Sequence, residues 1–327
     1  MTNLRNALRW SVAVALVPLM TVQQSFAWGA VGHKMLSRIA AQNLPTDVPL
    51  FLRDKQAQDT MAALASEPDH WRSRAEDELN ATTTPEHFID MEWADLADIP
   101  CTPNVDHCPA NGLTLPRKRF DYIRALQKAQ LAHPDMKLTP ESVGLQPWQV
   151  IEVYERIKIG LREYRKALAA HEDTKPLETE VLFEAAWLGH YVGDGSQPLH
   201  ATMQYNGWTG PNPNGYTTEH KIHSQFETVF VTANIKPADV DKLVAAAKPK
   251  VLDDVWSDYL LFLRDSNAKV EKVYQLEKTG AFTDAGTPEG KTFTEARLAA
   301  GAEELRDLIY TAWVRSADPV EEYKGPQ

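Results

Sequence analysis

Apolar residues recur three and four positions apart over most of this chain, a period that fits helices and little else. The repeat runs through residues 32–44, 117–131, 148–170, 178–192, 221–231, 238–247, 251–277 and 293–313. Pro85, Pro176 and Pro237 stand near helix starts, where a missing amide N–H costs little. Alternating patterns of the kind that mark strands are sparse. The expectation is an all-α fold: a single-domain, multi-helical bundle.

Residues 1–27 read as a secretory signal. Arg5 and Arg9 give a basic start, Trp10 to Val22 is apolar, and Ser25-Phe26-Ala27 supplies the small residues of a cleavage site. That apolar run is shorter than the ~20 residues a membrane span needs, so no stable membrane insertion is expected. Cleavage between Ala27 and Trp28 would leave one domain, 28–327, secreted or periplasmic. The net charge of −11 repels polyanions unless bound metal reverses the field locally. It also argues against a nucleic-acid binder of the basic-groove kind. Cys101 and Cys108 are the only cysteines. In an exported chain two close cysteines read as a disulfide, because two thiolates alone make an incomplete zinc site.

The chemistry concentrates in His190-Tyr-Val-Gly-Asp194-Gly-Ser-Gln-Pro-Leu-His200. His190 and Asp194 are four apart, so a helix projects both from one face. Gly195 and Pro198 then turn the chain and bring His200 back. His223-Ser-Gln-Phe-Glu227 repeats the pairing of an imidazole with a carboxylate. One such pair is usually an exposed helix pair; two, with His200 beside them, point to metal. Ionisable groups within the apolar run from Val181 to Asp194 need compensation on burial, which a divalent ion supplies. Imidazole nitrogen and carboxylate oxygen suit zinc where water must also bind. No G-x-S-x-G elbow and no Gly-rich phosphate cradle occurs.

The chain resembles the superfamily of zinc-dependent single-strand nucleases (S-one/P-one type) and bacterial zinc-dependent phospholipases C. The resemblance rests on Trp28-Gly-Ala-Val-Gly-His33, Pro68-Asp69-His70-Trp71-Arg72, His87-Phe88-Ile89-Asp90, His190…Asp194…His200 and His223…Glu227. It implies three zinc ions. Asp69, His87, His190 and Asp194 would hold the first, and His200, His223 and Glu227 the second. The amine and carbonyl oxygen of Trp28, His33 and the other oxygen of Asp194 would hold the third. The resemblance matches no position to His70, His107, His133, His171 or His220, which stay surface or packing histidines.

On the nuclease side, the resemblance makes Asp69 a catalytic carboxylate and Arg72 the group that neutralises the transition-state phosphate. Phe88 would stack a base and Asp90 bond its edge, giving a preference for unpaired strands and a hydrolase of RNA or DNA phosphodiesters, with nucleotides as further substrates. The competing readings are a helix-surface charge for Arg72 and core packing for Phe88. Glu227 and the His223-Ser-x-x-Glu227 pattern resemble the phospholipase version instead, so phospholipid is the alternative substrate. A metal-stabilised protein without catalysis is the third reading. The turn-rich segment 201–219 joins two metal-binding stretches and is a candidate wall of the substrate cleft.

Overall fold

The computed structural model describes residues 28–96 and 115–321. The expected leader and the pair Cys101 and Cys108 lie outside the described residues. The long helices follow the apolar repeat: α1 (Gly29–Gln42), α2 (Lys55–Leu64), α3 (Arg119–Ala132), α4 (Gln146–Ala169), α5 (Lys175–Ser196), α6 (Pro237–Ala246), α7 (Val255–Asn267), α8 (Val270–Lys278) and α9 (Pro288–Arg315). Among the described residues, β pairing is confined to isolated bridges, Ile89 with Gly144 and Tyr205 with Gly207. The fold is all-α.

Local chemistry sets the ends. Proline occupies the first turn of α4, α5, α6 and α9. Asp54 caps α2 by accepting from the Ala57 amide at 2.7 Å, and Thr287 caps α9 by accepting from Gly290 at 3.1 Å. Helix α5 is the centre of the molecule, packed against α1, α2, α4 and α9. Leu188 to Ser196 is buried on every side, as expected of a helix enclosed by other helices. Each aliphatic side chain buried there contributes about 1.5–3 kcal/mol relative to exposure. His190 and Asp194 are therefore carried into the middle of the protein.

Two elements depart from the sequence pattern. The repeat over 251–277 predicts one helix, but α7 stops at Asn267 and α8 begins at Val270. No proline or glycine causes the break. Ser266 instead donates its hydroxyl to the Gly195 carbonyl at 2.6 Å, and Asn267 donates to the Ala201 carbonyl at 2.8 Å. Side-chain bonds to a distant backbone thus win over one more helical turn. The stretch 221–231 is also not uniformly α: Gln225–Phe230 is a π-helix, a form that occurs mostly as single turns, often at functional sites. Phe226 and Phe230 drive aromatic rings from it into the core, against Phe282. Among the described residues, no helix is long and apolar enough to cross a membrane.

Candidate metal centre

Side chains from α1, α5 and four short segments converge inside the bundle. His33 comes from the first turns of α1, and His190 and Asp194 from α5. Asp69 comes from the turn Glu67–His70 and His87 ends the 3-10 turn Thr84–His87. His200 ends Pro198–His200, while His223 and Glu227 span the α-to-π junction. The ligand-type atoms fall into three groups: His33, His190 and Asp194; Asp69, His87 and His190; and His200, His223 and Glu227. Within each group the atoms lie within 4.8 Å of one another.

Close backbone approach makes the convergence possible. A Cβ on Gly193 would lie 2.8 Å from His33 Nδ1, so only glycine lets α1 lay this imidazole against α5. On the other side, residues 88–90 run extended between two neighbours. The Ile89 amide donates to the His200 carbonyl at 2.9 Å, and the Asp90 amide to the Val143 carbonyl at 2.9 Å. A Cβ on Gly144 would stand 2.0 Å from the Phe88 carbonyl oxygen, and its φ of +88° is itself a glycine conformation.

Asp194 sits between two groups. Its Oδ1 is 3.3 Å from His33 Nε2, and its Oδ2 is 3.0 Å from His87 Nδ1 and 3.5 Å from His190 Nε2. Asp69 Oδ1 is 3.8 Å from His190 Nε2 and 3.9 Å from His87 Nδ1. Glu227 Oε2 is 2.9 Å from His223 Nε2 and 3.7 Å from His200 Nε2. The His33 ring stacks on His190 with centroids 4.1 Å apart.

Three imidazoles share a device that the sequence does not display. His190 Nδ1 lies 2.7 Å from the Ala65 carbonyl, His200 Nδ1 2.7 Å from the His87 carbonyl, and His223 Nδ1 2.8 Å from the Tyr205 carbonyl. A carbonyl can only accept, so each Nδ1 carries the proton. In the neutral ring this leaves Nε2 as a lone pair aimed into its group. Gln197 acts similarly on the carboxylate: its Nε2 donates to Glu227 Oε2 at 3.1 Å, and its Oε1 accepts from the Leu199 amide. Backbone acceptors leave no trace in residue identity, so no pattern could have found them.

The electrostatics call for a cation. Burial pushes the Asp69 and Asp194 carboxyls up to about 8 each. Both oxygens of Asp69 are buried without a hydrogen-bond partner, a costly arrangement unless a charge arrives to offset it. Burial drives His87 and His190 well below the ordinary imidazole value, so both are neutral donors of electron pairs. Burial opposes ionisation of Glu227 too, but the His223 and His200 imidazoles outweigh it and hold the carboxyl at about 2. Neutral imidazoles with carboxylates and no thiolate make a donor set that fits zinc with water access.

The other expected residues are placed as follows. The Trp28 indole is fully buried and donates to Ser196 Oγ at 2.7 Å, while its carbonyl accepts from the Gly32 amide. Arg72 is partly exposed, with Nη1 3.6 Å from Asp69 Oδ1. Phe88 is half-buried and Asp90 buried; burial, with Glu92 nearby, pushes the Asp90 carboxyl up to about 8. His70, His171 and His220 are exposed and His133 is half-buried, none of them in a group. His107 lies outside the described residues.

An all-α fold that gathers buried imidazoles and carboxylates into three groups defines a helical protein with candidate metal sites. The model of the S1/P1 nuclease family matches residues 28–301, and the chain belongs to that family. The family is zinc-dependent and hydrolyses phosphodiester bonds. A search of curated proteins gives no match to the chain.

Proposed function

We propose that the protein is an exported nuclease that hydrolyses phosphodiester bonds in single-stranded RNA or DNA, using three zinc ions. The observation that carries this reading is the gathering of buried imidazoles and carboxylates into three groups in a chain of a nuclease family. Asp69, His87, His190 and Asp194 would hold one ion, and His200, His223 and Glu227 another. His33, the second oxygen of Asp194 and the Trp28 amine and carbonyl would hold the third. Trp28 can offer a free amine only once the leader is removed after Ala27, and the family match begins at that residue.

When bound, zinc supplies a water acidified towards neutrality and a Lewis-acidic hold on phosphoryl oxygen. The protein's own groups do the rest. Asp69 presents buried oxygens with no competing hydrogen bond, positioned to orient the attacking water and take its proton. Arg72, partly exposed beside Asp69, offsets charge that grows on the phosphate. Half-buried Phe88 supplies a ring for an unpaired base, and a base locked in a duplex cannot reach it. Asp90, held as the acid near neutral pH, can both donate to and accept from that base's edge.

The test is a paired assay of the mature protein. Single-stranded RNA and DNA should be cleaved faster than duplex; chelator should abolish cleavage and added zinc restore it. Glu227 in the His223-Ser-x-x-Glu227 pattern is the feature that favours a lipid instead. Cleavage of phosphatidylcholine micelles without cleavage of either nucleic acid would overturn the proposal.

A further inference from the structure

The loop between His200 and Ile222 holds Tyr205 57% exposed, a large ring turned to solvent beside the third group. Its centroid is 6.2 Å from that of His223, at an interplanar angle of 75°. An exposed ring on a loose loop would carry no meaning, but the backbone on both sides of Tyr205 is tied. The Tyr205 carbonyl accepts from His223 Nδ1, and the Gln204 carbonyl accepts from the Tyr274 hydroxyl at 2.5 Å. The Asn206 carbonyl lies 2.6 Å from His220 Nδ1, and the Gly207 amide donates to Tyr274 Oη at 3.0 Å. Upstream, Glu92 accepts from the Thr202 hydroxyl and the Met203 amide. The backbone that carries the ring is therefore held before any ligand arrives, and little of its entropy remains to be lost when something packs on the ring.

The His200 side of the same group also has a tied backbone segment. His200 neighbours His223, with ring centroids 4.9 Å apart. The backbone of 87–89 is joined to His200 through the His87 carbonyl and the Ile89 amide. Phe88, in that segment, is only half-buried. The His200–His223–Glu227 group thus has one accessible aromatic ring tied to His200 and another tied to His223.

We propose that Tyr205 is a stacking platform for a second base, that of the nucleotide across the scissile phosphate from the one held at Phe88. This rests on the nuclease reading. Every base has a π-face, so such a platform tolerates sequence while favouring unpaired strands. It makes a dinucleotide the smallest good substrate. The loss of one stacked base should read as about a tenfold fall in kcat/KM.

The experiment compares thymidylyl-thymidine with thymidine 3′-(methyl phosphate), a diester with the same linkage and only one base. Wild type, Tyr205→Ala, Tyr205→Phe and Tyr205→Trp are assayed with zinc content measured on each. Tyr205→Ala should lose about tenfold on the dinucleotide and nothing on the methyl ester, at unchanged zinc content. The phenylalanine and tryptophan variants should keep wild-type rates, because the ring and not the hydroxyl does the stacking. Equal loss on both substrates, or no loss on either, overturns the platform while the nuclease reading stands. If wild type cleaves neither diester but cleaves phosphatidylcholine, the nuclease reading fails and the platform goes with it.

Discussion

Asp194 stands between two of the groups. Its two oxygens face different imidazoles, His33 on one side and His87 with His190 on the other. Loss of the carboxylate should therefore weaken two groups at once. Asp194→Ala is expected to lower zinc content by more than one ion per chain. Activity should fall by more than the roughly 10–100-fold that loss of an outer hydrogen-bonding partner costs. Zinc analysis beside a nuclease assay checks this, and full zinc with normal turnover would contradict it. At this scale the sequence was informative where side-chain identity and short spacing carry the chemistry, as in His190 with Asp194 and His223 with Glu227. Asp69, His33 and His87 have no local partner and were visible only through family resemblance. The carbonyls of Ala65, His87 and Tyr205, which set three imidazole tautomers, could not be seen at all, because any residue supplies a carbonyl.

Short elements, more than long ones, build the walls of the centre. Long helices such as α4, α5 and α9 could be read from their period. The turns Glu67–His70 and Thr84–His87 could not, because four residues are too few to display one. The break between α7 and α8 was hidden for another reason: its cause is tertiary. Asn267 donates both to the Ala201 carbonyl at 2.8 Å and to Glu92 Oε1 at 2.9 Å, tying α7 to the segment that follows His200. Asn267→Ala should leave a part-buried carbonyl and carboxylate short of a donor and cost about 1–3 kcal/mol. Urea unfolding of the zinc-free protein measures that cost, and an unchanged midpoint would show the tie to be incidental.

Over the whole molecule, burying so many acids makes the stability of the zinc-free protein depend on pH. Asp69, Asp194 and Asp90 are held at about 8 against an ordinary value of 3.8, mainly by burial. Through that interval the unfolded chain has released protons that the folded chain keeps, so stability falls as pH rises. Buried His87 and His190 act in the opposite sense, but only below the ordinary 6.5, where the unfolded rings take up protons. Burial opposes protonation of His223 as well, yet Glu227 outweighs it and raises that ring, which adds to the fall above 6.5. With chelator present, Tm should therefore drop between about pH 6.5 and 8. With zinc bound the shares of Asp69, Asp194 and His223 should vanish, since the cation replaces their protons, while that of Asp90, which would hold no ion, remains. A zinc-free Tm that climbs across that window would contradict these assignments.

The three His/carboxylate groups are proposed to hold one zinc ion each. An anomalous-difference map from crystals of the mature protein, with data collected on either side of the zinc absorption edge, tests it most directly. Three edge-dependent peaks are expected, one beside His33 and Asp194, one beside Asp69 and His87, and one beside His223 and Glu227. A zinc-replete crystal with no peak at these side chains, or with its peaks elsewhere, would contradict it.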